Sequence, residues 1–378
     1  METPGANEAN SPGAAPPSPP PPPVLYPPPP PPVIRKGRGW KYLALILLVL
    51  LVLNNLGSLE HFLGGALGVS AASRTPADQL EEVVMEDQGV PEKILLINLR
   101  GLIYGGYVGG GESDPVEFVR WQLERAEKDD QIKAVVLRVD SPGGEVLASD
   151  NLSRLIEDFQ TRTGKPVVGS LGGVAASGGY YVAASCRWLV ASPLTITGSI
   201  GVIMHGYNYR GLMDKVGVKP MVFKSGRFKD MLSGERAETE IPPEERKMVQ
   251  DMIQTTFARF KEVVARGRRK AQKRNQGRGR ALAGDWQKYA DGRVLLGTEA
   301  YELGFVDELG DFRAAVSRAR DLAGVGQANL VRYQAPFRWG GLLSLLSEAR
   351  APKIHLDLGV QAPPLEPGRA YFLYAPGL

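Results

Sequence analysis

The chain has 378 residues, enough for one large or two ordinary domains, and its 43% apolar content suits a protein with a buried core. A single cysteine, Cys186, excludes an internal disulfide and a cysteine-based metal cluster; three scattered histidines, His61, His205 and His355, suggest neither a zinc site nor a Ser-His-Asp triad. The formal charge of +4 is a misleading average, because residues 266–280 hold eight basic and no acidic residues and the rest of the chain is net acidic.

Residues 1–34 are dominated by proline, which favours an extended, disordered cytoplasmic head acting as a spacer. Arg35, Lys36, Arg38 and Lys41 then precede twelve uniformly apolar residues, 42–53. Twelve residues span about 18 Å at ~1.5 Å each, short of the ~30 Å hydrocarbon core, but the stretch from Trp40 to Leu59 nears the required ~20. The expectation is one retained transmembrane helix within 35–59, with the N-terminus cytoplasmic and the part of the chain beyond it outside. A cleaved signal peptide with a site near Ser70-Ala71-Ala72 is the alternative. Residues 60–90, small and polar, read as a tether.

From residue 91 to 328 the pattern alternates. Residues 93–99 read as a strand, 115–128 as a helix, 132–140 as a buried strand, 146–163 as a helix, and 166–171 as the next strand. This order predicts an α/β fold with parallel strands and crossover helices. Residues 242–266 predict a long helix, with Pro242, Pro243, Glu244 and Glu245 suited to its first turn. The basic block behind it reads as a solvated loop that anionic lipid head groups would attract, and no nucleic acid is expected. Cys186, after Val182-Ala183-Ala184-Ser185, reads as a small buried residue. Gly105, Gly106 and Gly109 to Gly111 form no P-loop, since no Gly-Lys-Ser/Thr follows. In the tail, 329–378, residues 337–346 suit an amphipathic or core helix, and 371–376 an apolar strand that adds to a neighbour's groove.

The chemistry concentrates in Gly173-Val174-Ala175-Ala176-Ser177-Gly178-Gly179, at the predicted start of a helix. Only Gly and Ala let backbone approach a reacting carbonyl so closely, and unpaired N–H groups at a helix start face the oxygen that becomes negative. A second donor is expected from Asp140-Ser141-Pro142-Gly143-Gly144, a tight glycine turn after a strand. Without a suitable histidine the serine needs an amine as base. Lys229 is the candidate, and Lys224 its rival. A free lysine, near about 10.4, stays protonated at neutral pH, so its site must lower that value, and Asp230 is expected to point away.

Taken in order, the glycine turn, Ser177, Thr197-Gly198-Ser199-Ile200-Gly201-Val202 and the lysine segment resemble the signal peptide peptidase A family over residues 93–325. So does the stretch from Asp291-Gly292-Arg293-Val294 to Gly310. The family comprises Ser-Lys peptidases of the Clp-protease and crotonase fold superfamily, built of repeated β-β-α units. The resemblance implies Ser177 as nucleophile, Lys229 as general base, Gly144 and Gly178 as the oxyanion-hole amides, and Ser199 as the serine that orients the lysine. It implies no cofactor, apolar peptides such as signal-peptide remnants as substrates, and a homo-oligomer; the short, single-repeat form completes its dyad either across protomers or within one. A crotonase-type acyl-CoA enzyme, with the same oxyanion hole but no covalent serine, and a non-catalytic membrane scaffold are the competing expectations.

Overall fold

The computed structural model describes residues 76–106, 114–335 and 370–373. The proline-rich head, the anchor, the glycine run 109–111 and the tail segment 337–346 lie outside the described residues.

The described chain is mixed α/β around one large sheet. Strands β1 (Glu81–Glu86) and β2 (Lys93–Ile103) are followed by helix α1 (Pro115–Lys128), β3 (Ile132–Glu145), α2 (Val146–Thr163), β4 (Val167–Ala176), α3 (Gly178–Ala183) and β5 (Trp188–Ala191). Then come β6 (Ile196–Gly198), β7 (Ile203–Met204), α4 (Arg210–Lys215), α5 (Pro243–Arg274), β8 (Val294–Leu296) and α6 (Gly297–Glu302). Last are β9 (Glu308–Leu309), α7 (Phe312–Ala323), β10 (Asn329–Gln334) and β11 (Ala370–Leu373). The main path runs β1-β10-β2-β3-β4-β5-β9, with every neighbour pair from β10 onward parallel and β1 antiparallel at the edge.

Burial on both faces explains the near-continuous apolar runs of the central strands. Leu95, Ile97 and Leu99 of β2, with Val135, Leu137 and Val139 of β3, face the core that also holds α1, α2, α3 and Phe260 of α5. The alternate residues Ile94, Leu96, Ala134 and Val136 face the second core, closed by Ala315 and Ala319 of α7. Local signals set the helix ends. Asp114 accepts hydrogen bonds from the Val116 and Glu117 N–H groups at 2.8 and 3.4 Å, and Gly164 ends α2 at φ 72°. Cys186 is buried, and burial pushes its thiol up to about 12.

Three expectations need correction. The Pro-Gly-Gly stretch is not a tight turn: β3 continues through it to Glu145, with register shifts on both sides and Gly143 at φ 106°. Residues 81–86 do not belong to a tether but form β1, because β10, about 240 residues away in sequence, supplies a partner that no local window reveals. Residues 329–334, assigned to the tail, are that partner.

The third correction concerns the basic block. Its first half is helix, since α5 runs on to Arg274, and its charges meet carboxylates folded against them. Arg266 and Lys270 both reach Glu157 of α2, and Arg268 pairs with Asp307 where both side chains are almost fully buried. Asp307 also accepts from the N–H of Leu189 at 2.8 Å and of Arg280 at 3.2 Å. Breaking a buried pair from one side strands the other charge, at a cost of about 3–5 kcal/mol. Asp307→Asn, which keeps the shape and removes the charge, is expected to lower stability by that amount in urea unfolding, with an unchanged denaturant slope. A loss below ~1 kcal/mol would contradict a stabilising role for this pair.

Candidate active site

Ser177 sits where β4 ends and α3 begins, with φ 52° and ψ −117°. A non-glycine residue there costs about 1–3 kcal/mol and persists only when its surroundings impose it. They do. Its N–H donates to Gly198 O at 2.9 Å, and its carbonyl accepts from Tyr181 N at 2.8 Å. Parallel pairing of Ala176 with Gly198 and a bond from Thr197 Oγ1 to Ala175 O at 2.7 Å lock β6 alongside.

The two glycine segments meet at Ser177. A Cβ on Gly178 would lie 2.6 Å from Ser149 Oγ and 3.1 Å from both Gly143 Cα and Gly144 N. A Cβ on Gly144 would lie 1.9 Å from Ile103 O. Neither position has room for a side chain, and Gly178 packs directly beside Gly143 and Gly144.

Ser199 is the second polar residue brought to this place. It also has a positive φ, 49°, is 6% exposed, and donates its N–H to Arg293 O at 2.8 Å. Gly292 N donates to Ile200 O at 3.0 Å, and β8 pairs antiparallel with β6. The Asp291-Gly292-Arg293-Val294 segment is therefore the buttress of the Ser199 loop. Beside it, hydrogen bonds from Arg293 to the Asp291 side chain hold that carboxyl down at about 2.

Ser177 and Ser199 line one open cavity of about 620 Å³, together with Asp291, Gly292 and Leu373. Gln250, Ile253, Gln254 and Phe257 of α5 complete its wall. These four follow an i, i+3, i+4, i+7 spacing and share one helix face, a signal that was readable and was missed. Leu373 could not have been found that way, because it arrives from the far end of the chain.

Lys229 is not brought to this cavity. It lies exposed in the segment between α4 and α5, and it is absent from the wall around Ser177. Its rival Lys224 is engaged with Asp230, at 2.7 and 2.8 Å. The hydrogen bond from Lys224, aided by Arg236, holds the Asp230 carboxyl below the usual aspartate value. Asp230 is thus directed to Lys224 and Arg236, while the Lys229 side chain has no hydrogen-bond or ion-pair partner among the described residues and only its backbone N–H is bonded, to Gly226 O at 3.1 Å. The same segment carries conspicuously exposed apolar side chains: Met221 at 80% and Phe223 at 89%.

Behind Ser177, α3 carries Tyr181, whose hydroxyl donates to Asp150 Oδ1 at 2.6 Å; Arg154 and Arg259 pair with the same carboxylate. Burial opposes the charge on Asp150, but the bonds from Tyr181 and Arg154 outweigh it and bring the carboxyl below its ordinary value. Burial, reinforced by Asp150, raises the Tyr181 phenol. Tyr181 is therefore a neutral, fixed wall of the core beneath Ser177.

Residues 160–326 match the model of peptidase family S49. The chain is 36% identical over 248 residues to "Putative protease MJ0651" of Methanocaldococcus jannaschii, covering 64% of this chain and 74% of that one. It is 30% identical over 265 residues to "Putative signal peptide peptidase SppA" of Enterococcus faecium, covering 68% and 72%. Against "Protease 4" of Haemophilus influenzae the identity is 33% over 252 residues, 66% of this chain but only 38% of the relative's length. The strand-to-helix serine of this cavity thus lies inside the matched region, and the chain belongs to peptidase family S49, the serine peptidases of signal-peptide-peptidase type.

Proposed function

We propose that this chain is a membrane-anchored serine endopeptidase that cuts apolar peptides, signal-peptide remnants among them, through an acyl-enzyme on Ser177. The observation that carries the reading is the imposed positive φ of Ser177, at a cavity it shares with Ser199 and beside the converging Gly144 and Gly178 backbones. Ser177 Oγ attacks the peptide carbonyl and gives its proton to the neutral amine of Lys229, while the Gly144 and Gly178 N–H groups stabilise the oxyanion. The protonated lysine then gives that proton to the leaving amine. Water, deprotonated by the same amine, releases the acyl group and restores the serine. In this reading the fold is that of the Clp-protease and crotonase superfamily, and Ser199 orients the lysine.

Lys229 has to reach Ser177 for this to work. Its exposure, together with the exposed apolar residues on its own segment, favours a homo-oligomer in which the lysine of one protomer completes the site of the next. Labelling of the purified protein with a serine-directed fluorophosphonate, with hydrolysis of an apolar peptide in parallel, tests the reading. Labelling at Ser177 is expected; a folded, oligomeric protein that neither labels nor hydrolyses would leave the scaffold.

The anchor belongs to the same proposal and rests on the basic flank and apolar run of 35–59. Among the described residues no helix is long and apolar enough to cross a membrane. Protease added outside intact spheroplasts should degrade the chain beyond about residue 60 and spare the proline-rich head. Degradation of the head would reverse the orientation.

A further inference from the structure

We propose that Glu245 is a positioning residue for the base: buried in the first turn of α5, it clamps the segment that carries Lys229 to the helix that walls the Ser177 cavity. The inference rests on the reading of Lys229 as the base, and it holds whether that lysine serves its own serine or a neighbour's.

Glu245 is a buried acid that its own helix does not use. It is the third residue of α5 and is 2% exposed. The helix dipole favours an acid in this turn, but the exposed Glu244 meets that preference without any cost of burial. A glutamate at the third position ordinarily reaches back to the backbone N–H of the residue that caps the helix. Here the cap is Pro242, which has no N–H to give. The carboxylate turns to the preceding segment instead. Its Oε1 accepts from Leu232 N at 3.2 Å and its Oε2 from Arg236 Nη1 at 2.7 Å, thirteen and nine residues back in the chain.

Both partners lie just beyond the lysine. Leu232, three residues after Lys229, has φ 66°, a strained value for a leucine that persists only when its surroundings impose it, and the bond from its N–H to Glu245 is one of the restraints. Arg236 also donates to the Asp230 carbonyl at 3.4 Å and to the Glu240 carbonyl at 2.7 Å, and it lies 3.7 Å from the Asp230 carboxylate. Asp230 directly follows Lys229. The relay from Glu245 through Arg236 to Asp230 therefore fixes the backbone on the C-terminal side of the lysine, and it leaves the amine itself untied.

The other end of the clamp is the cavity wall. Gln250, Ile253, Gln254 and Phe257 face Ser177 from the same helix, and Glu245 precedes Gln250 by five residues, about 7.5 Å along a continuous α5. A second cavity of about 290 Å³ is lined by Leu232 and Gly234 of the loop and by Glu245 and Gln250 of the helix, so Gln250 belongs to both cavities. The lysine segment is thus referenced to the wall that substrate meets. A catalytic group misplaced by about 1 Å loses on the order of 10²-fold in rate. Glu245 itself does not line the Ser177 cavity, so its loss reaches the reaction through the base and spares substrate binding: kcat falls and KM holds.

Glu245→Gln keeps the shape and removes the charge, and it is tested in the full chain. The variant is expected to fold by circular dichroism and to hydrolyse an apolar peptide with kcat at least ~5-fold lower and KM within ~3-fold of wild type. Trypsin, whose sites Lys224, Arg227, Lys229 and Arg236 lie in the clamped segment, is expected to cut there at least ~5-fold faster, because local opening sets that rate. A smaller effect on kcat or on cleavage, or a larger change in KM, overturns the proposal. Lys229→Ala is assayed in parallel. If that variant stays active, the base reading falls and takes the proposal with it; the trypsin rate still shows whether the clamp exists, which tells the two failures apart. Should Glu245→Gln not fold, Arg236→Gln cuts the same link from its less buried side, 12% against 3% exposed, and is judged by the same kcat, KM and trypsin criteria at the three remaining sites.

Discussion

Ser177→Ala is expected to abolish peptide hydrolysis and fluorophosphonate labelling, while circular dichroism and oligomer size stay unchanged. The nucleophile of a serine peptidase carries the covalent step, and its removal leaves only what the oxyanion hole and binding supply, a loss of roughly 10⁴-fold or more. The fold should tolerate the change, because what holds Ser177 in place is backbone: its N–H on Gly198 O and its carbonyl under Tyr181 N. Alanine must still adopt φ 52°, so a modest loss of stability is compatible with the assignment. Hydrolysis surviving within about tenfold of wild type, in protein free of contaminating peptidase, would remove Ser177 from the mechanism.

Lys229→Ala should be as inactive as Ser177→Ala, because groups that act as one unit lose their effect together. Lys229→Arg should not rescue it, since a guanidinium stays protonated. Lys224→Ala should remain active: that amine is committed to Asp230, and its loss leaves that carboxylate to Arg236 rather than removing a base at the serine. If Lys224→Ala is the dead variant, the base has been misassigned. Mixing the two inactive proteins, Ser177→Ala and Lys229→Ala, through dissociation and reassembly separates the two possible dyads. A base delivered by a neighbour would restore up to about a quarter of the wild-type sites at equal mixing, because a ring of head-to-tail contacts then pairs an intact serine with an intact lysine at random. No restoration, with mixed assembly verified, would require the segment carrying Lys229 to fold back onto its own Ser177.

The sequence alone determined the elements whose signals are local. Helices α1 and α2 begin and end where the Asp114 cap, Pro115 and Gly164 place them, and β2 to β4 follow from apolar runs too continuous for a half-exposed sheet. The serine among glycines and alanines was legible for the same reason: close backbone approach forbids larger side chains, and that constraint is written residue by residue. What tertiary structure decided depends on partners far away in the chain. The basic block became helix because Glu157 and Asp307 neutralise it from about 109 and 39 residues off, distances that no charge count registers. Residues 81–86 became a strand through β10, and 370–373 through β3 and β7. A short strand has no internal hydrogen bonds to stabilise it, so its existence is a property of the edge that receives it, and sequence periodicity cannot report that edge. Lys229 marks the same boundary: its identity is a matter of sequence, whereas its position outside the Ser177 cavity is a matter of tertiary structure.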